Sequence, residues 1–232
     1  MMQDRTAYAR ISADPYDWPF DGTLEPENTG LIVIDMQMDF CGYGGYCDQM
    51  GVDMSLTRRP IEPLQTVLER MRARDFHILH TREGHRADLS DLNENKRWRS
   101  ARNGAEIGSD GPLGRILVRG EPGWEIVPEL TPQPGEPIID KPGKGSFYAT
   151  DLDQILRQRG IRNLIFTGVT TDCCVYTTLR GANDRGYECL LLEDCCAASE
   201  VANHEAVVRI TKSGYGHLGA VSSSERVLEA FG

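Results

Sequence analysis

Apolar residues in this chain come in short unbroken runs, and between the runs they recur at helical spacing. Gly30-Leu31-Ile32-Val33-Ile34 is apolar without alternation and ends in Asp35. A strand buried on both faces has that character. Ile61, Leu64, Val67, Leu68 and Met71 then share one face of a helix over 60–74. Phe76-His77-Ile78-Leu79-His80 predicts a second strand and Pro137-Ile138-Ile139-Asp140-Lys141 a third. A fourth runs from Asn163 to Thr167, a fifth from Glu188 to Glu193, and a short last one lies at Gly219-Ala220-Val221. Helices are expected over 150–159, 172–185 and 199–212. Gly186 closes the second of these, and Ser199 is the natural cap of the third. Residues 81–136 read as one long irregular stretch.

Strands joined through helices require parallel pairing and right-handed crossovers. The expected fold class is therefore α/β: a three-layer, doubly wound, mostly parallel six-stranded sheet with helices on both faces. No linker, repeat or compositional break divides the chain, so residues 1–232 read as a single domain. Ligands of such sheets bind beyond the carboxyl ends of the strands.

Composition narrows the partners. The net charge of −10 argues against nucleic acid or an acidic membrane. No apolar stretch approaches the roughly 20 residues that span a bilayer. The first 21 residues are polar and aromatic, unlike a signal peptide, and a cytoplasmic protein is expected. Seven cysteines, an odd count, argue against a disulfide framework. Most read as small buried apolar groups.

Three strand ends carry polar groups that buried strands otherwise avoid. The first ends in Asp35 and the third in Lys141; the fourth is followed by Gly168-Val169-Thr170-Thr171-Asp172-Cys173-Cys174-Val175. A parallel sheet brings these ends to one edge. A thiol at the start of a helix is favoured as thiolate by the dipole and the free N–H groups. A carboxylate can take the thiol proton, and a lysine can hold both charges, which suits acyl transfer through a cysteine. His80 and His85, with Asp88 near, lack a convincing ligand spacing, so no metal and no cofactor is expected. Arg82 and Glu83 are expected to organise the loop after the second strand.

Ile34-Asp35-Met36-Gln37 with Asp39-Phe40, Lys141-Pro142 followed by Ser146-Phe147, and the Gly168–Val175 segment resemble the isochorismatase-like cysteine hydrolases. The likeness spans about residues 28–221. Among these, the chain looks most like the biuret hydrolases, through Asp14-Pro15-Tyr16, Thr81-Arg82-Glu83-Gly84-His85-Arg86, Lys96-Arg97-Trp98-Arg99-Ser100 and Arg119-Gly120-Glu121-Pro122-Gly123-Trp124.

The resemblance implies an Asp35–Lys141–Cys174 triad with Cys174 as nucleophile. It also implies a cis Val169–Thr170 peptide, and an oxyanion hole from the Thr170 and Cys174 N–H groups. Phe40, Lys144, Phe147 and Tyr148 are candidate pocket residues. Biuret hydrolases carry a glutamine where this chain has Gly214, so Tyr215 or His217 is expected to make that contact. The implied activity is hydrolysis of a terminal C–N bond in a small ureido substrate. Biuret is the first choice, with triuret, ureidoacrylate and N-carbamoyl amino acids open. The implied assembly is a homotetramer. An isochorismatase proper uses no cysteine nucleophile, and a non-catalytic binding module would not need all three triad residues.

Overall fold

A computed structural model describes residues 8–232. Six strands form one sheet: β1 (Thr29–Ile34), β2 (His77–Glu83), β3 (Ile138–Lys141), β4 (Asn163–Val169), β5 (Glu188–Ala197) and β6 (Ala220–Ser222). The order is β3-β2-β1-β4-β5-β6, and every pairing is parallel. This is the doubly wound α/β fold that the alternating pattern requires.

The chain order reverses between β1 and β4, which lie side by side at the centre. Leu31 and Val33 face one apolar layer, formed with α1 (Ile61–Arg72) and α6 (Ser224–Phe231). Ile32 and Ile34 face the other, formed with α3 (Leu152–Gln158), α4 (Tyr176–Asn183) and α5 (Val201–Gly216). Burial on both sides is why β1 is continuously apolar.

The irregular stretch holds more order than the sequence suggests. It contains a helix, here α2 (Glu94–Arg102), and a small antiparallel hairpin of Asp110–Gly111 with Gly114–Arg115. Only Ser100 of α2 is buried, so no apolar stripe betrays it. Helix α6 also escaped the pattern; Ser223 caps it by accepting from Arg226 N–H.

Several boundaries differ. β2 runs three residues past His80, and β5 reaches Ala197 across an irregular register opposite 166–168. Thr171–Val175 makes one wide π turn before α4 begins. Helix α5 starts after Glu200 and is broken at Ser213–Tyr215.

Candidate active site

Each central strand ends in a functional group. Asp35 follows β1 in a left-handed conformation, φ 49°, which is rare outside glycine and tolerated by Asp. Thr81 of β2 holds it there: its carbonyl and hydroxyl oxygens both accept from Asp35 N–H at 3.2 Å, and its hydroxyl donates to Asp35 Oδ1 at 2.5 Å. Gly168 lies opposite Ile34, and a Cβ there would strike the Ile34 backbone. Only glycine lets β4 approach this closely, and its φ of 107° also excludes most side chains.

Lys141 ends β3 and is fully buried. Its ammonium lies 2.6 Å from Asp35 Oδ2 and 3.3 Å from Glu83 Oε2, and donates to Gly143 O at 2.9 Å. Burial opposes its charge, but Asp35, Cys174 and Glu83 outweigh that and hold it above the ordinary lysine value. Asp35 is thus held on both oxygens, Oδ1 by Thr81 and Oδ2 by Lys141.

Cys174 lies in the π turn. Its Sγ donates to Glu83 Oε2 at 3.3 Å, and it sits with Asp35 and Glu83 in a cluster whose polar atoms are all within 4.8 Å of one another. Thr178 of α4 donates to Cys174 O at 2.7 Å. Ser146, after β3, donates its N–H to Thr178 Oγ1 at 3.0 Å. The loop after β3 is thereby tied to the Cys174 turn. The Val169–Thr170 peptide is cis, as the resemblance implied.

Glu83 is the residue that sequence reasoning misplaced. It is not a loop organiser but a fully buried carboxylate at the centre of the site. Oε1 accepts from Lys96 at 2.6 Å and Lys144 at 3.2 Å; Oε2 faces Lys141 and Cys174. Burial opposes its charge, but Lys141, Lys144 and Lys96 outweigh that and keep it ionised far below the usual carboxylate range. Gln37 fixes its backbone, donating to Glu83 O at 3.0 Å and accepting from Glu83 N–H at 2.7 Å. Glu83 ends its strand just as Asp35 and Lys141 end theirs. Taking β2 three residues longer would have revealed it.

The thiolate expectation needs correction. Cys174 is raised well above the ordinary thiol value by Cys173 and then by burial, and Lys141 only partly opposes this. The Asp35 and Glu83 carboxylates add smaller contributions in the raising direction. Cys173 goes the other way: a hydrogen bond from Cys174 lowers it, burial resists, and Lys144 helps bring it to about 7. It is half-buried and packs against the apolar layer that holds α4.

The other candidates scatter. Lys144 and Tyr148 line a cavity of about 680 Å³ beside the cluster. Phe40 is core, edge-on to Tyr46. Phe147 stacks on Tyr187 and under Arg185, away from that cavity. Tyr215, 84 % exposed, and His217 are at the end of α5 and do not line the cavity. Gly214 is left-handed at φ 57°, and a Cβ there would collide with the His217 ring.

The two imidazoles that might have shared a metal do not converge. His80 Nε2 is 2.9 Å from Glu136, whereas His85 meets Asp91 at 3.2 Å and Lys96 at 2.9 Å. Asp35, Glu83 and Cys174 have a ligand-like spacing, but the Lys141 ammonium already stands against both carboxylates.

Comparison with known proteins agrees with this architecture. The isochorismatase domain family matches residues 29–225. The chain belongs to the isochorismatase-like hydrolases. A cysteine hydrolase from Pseudomonas syringae pv. phaseolicola superposes with a TM-score of 0.71 at 26 % identity, covering 89 % of this chain and 95 % of that one. An isochorismatase family protein from Desulfovibrio vulgaris gives 0.72 at 26 % identity, covering 87 % and 97 %. N-carbamoylsarcosine amidase from Thermoplasma acidophilum shares the fold, with a TM-score of 0.65 at 24 % identity over 85 % and 97 % of the two chains.

Proposed function

We propose that this hydrolase is a cysteine-dependent amidohydrolase that cleaves a terminal C–N bond of a small linear ureido compound. Biuret is the first candidate and triuret the second. The observation that carries the reading is the buried cluster of Cys174 thiol, Asp35 and Glu83 carboxylates and Lys141 ammonium.

Cys174 rests as a neutral thiol aimed at Glu83. The charge of Glu83 is committed to three ammonium groups, which makes it a poor base. Asp35 meets one ammonium where Glu83 meets three, so Asp35 takes the thiol proton as sulfur attacks the terminal carbamoyl carbon. The oxyanion is received by the Thr170 and Cys174 N–H groups. As the tetrahedral species collapses, Asp35 returns the proton to the leaving nitrogen, and ammonia departs from a thioester. Water then loses a proton to Asp35 and attacks the thioester. Its collapse releases the carboxylated product, allophanate when the substrate is biuret, and restores the thiol. Lys141 pairs with Asp35 and offsets the negative charge that builds up. These residues supply nucleophile, base and charge stabilisation without a cofactor.

The tetramer is part of the same proposal; exposed Val201, Ile210 and Tyr215 on α5 are apolar surface that association would cover.

The test is ammonia release by purified protein from biuret, triuret, ureidoacrylate and N-carbamoyl amino acids, with Cys174→Ser as control. Turnover of at least one ureido compound, lost in the control, is expected. Release from none of them would refute the reading.

A further inference from the structure

The 680 Å³ cavity is lined by cations that the catalytic proposal leaves partly unused. Lys96, Arg99 and Lys144 face it, together with the amides of Asn93, Asn95 and Asn103. Arg99 makes no ion pair among the described residues. Lys96 and Lys144 share Glu83 Oε1; Lys96 also meets His85 Nε2 and Pro142 O, so it brings charge to the cavity, while Lys144 and Arg99 bring free donors. The acid on the cavity wall, Asp91, already meets His85 and, at 3.7 Å, Arg119.

Within the cluster, three lysines (Lys96, Lys141 and Lys144) face two carboxylates (Asp35 and Glu83), with the Cys174 thiol neutral. The Cys173 thiol, lowered to about 7 by the Cys174 hydrogen bond and in part by Lys144, offsets much of the third ammonium, so among the described residues Arg99 is the cation on the cavity wall that lacks a counter-charge. Convergent guanidinium, ammonium and amide donors around a small cavity are what a carboxylate requires.

We propose that this cavity is a carboxylate subsite, so that one end of a ureido molecule sits as an anion against Lys96, Arg99 and Lys144 while Cys174 works on the far side of Glu83. The inference rests on the ureido amidohydrolase reading and adds the charge of the bound molecule. The carboxylate has two sources. It belongs to the substrate in an N-carbamoyl acid, or to the product once a neutral ureido compound has been cleaved.

Calorimetric titration of the full-length protein with malonate tests the subsite without any turnover, so it can fail independently of the ureido reading. Saturable binding is expected. Arg99→Gln should weaken it at least tenfold, and Arg99→Lys should recover most of it. Arg99 is exposed and outside the catalytic cluster, so Arg99→Gln leaves the surroundings of Cys174 in place. Two kinetic arms separate the sources. If the carboxylate is the substrate's, N-carbamoylglycine has a higher kcat/KM than biuret, and Arg99→Gln removes that advantage. If it is the product's, malonate competes with biuret and N-carbamoylglycine is not hydrolysed. No saturable malonate binding, or binding that Arg99→Gln does not change, overturns the proposal.

Discussion

Two adjacent cysteines sit in opposite environments. Cys174 is buried, protonated and held by Glu83; Cys173 is half-exposed and titrates near 7. In the free protein, iodoacetamide at pH 7.5 should therefore alkylate Cys173 first, because the thiolate is the reactive form. Cys173→Ser should remove the fast label and keep most of the turnover, whereas Cys174→Ser should lower kcat by on the order of 10³ or more. Peptide mapping of the labelled protein and ammonia assays of both variants check this. Fast labelling at Cys174 would show that its thiol is not held neutral. Glu83 makes a second residue-scale claim. Glu83→Gln strands three ammonium groups against Asp35 alone, and breaking a buried pair costs about 3–5 kcal/mol. Adding Lys96→Met should return part of that stability in urea titrations, while activity stays low. A single Glu83→Gln variant of normal activity would remove Glu83 from the mechanism.

At the scale of elements, the outer edge of the sheet is pinned by a carboxylate. Glu136, just before β3, reaches Arg72 of α1 at 2.7 Å and His80 of β2 at 2.9 Å. Burial resists its charge, but His80, Arg72 and the Gln133 N–H outweigh it and bring it to about 2 from an ordinary 4.5. A depressed carboxyl stabilises the fold above its unfolded value and loses that contribution as pH falls toward the folded one. The stability gap between wild type and Glu136→Gln should thus be full at pH 6 and shrink steadily between pH 4.5 and pH 2. Urea titrations across that range check it, and a gap of constant size would contradict the assignment. Elements also show where pattern reading stopped. The apolar pattern of β2 ends at His80 because Thr81, Arg82 and Glu83 are polar. Thr81 and Glu83 are nevertheless buried, since each finds a charged partner inside the site.

At the scale of the whole molecule, the proposed tetramer has its own test. Sedimentation equilibrium at micromolar concentration should give a mass near four times the 25.9 kDa chain. Replacing exposed Ile210 by Glu should shift it toward smaller species if α5 is the contact. A monomer at all concentrations would end that part of the proposal. No helix among the described residues is long and apolar enough to cross a membrane.

The sequence by itself determined the layers of this protein. Unbroken apolar runs specify strands buried on both faces, and helical spacing between them specifies the parallel order. It also determined that Asp35, Lys141 and Cys174 gather at one end of the sheet, because they stand at strand ends that a buried strand would leave apolar. Those signals are local, so one chain suffices to read them. What only the tertiary structure decided is how the groups hold their charges. Glu83 stands 91 residues from Cys174, and Lys96 comes from a helix without an apolar stripe, yet both converge on one spot. Protonation depends on burial and on neighbours through space, neither of which is written in spacing along the chain. That is why a thiol expected as thiolate rests protonated, and why a residue assigned to a loop stands at the centre of the site.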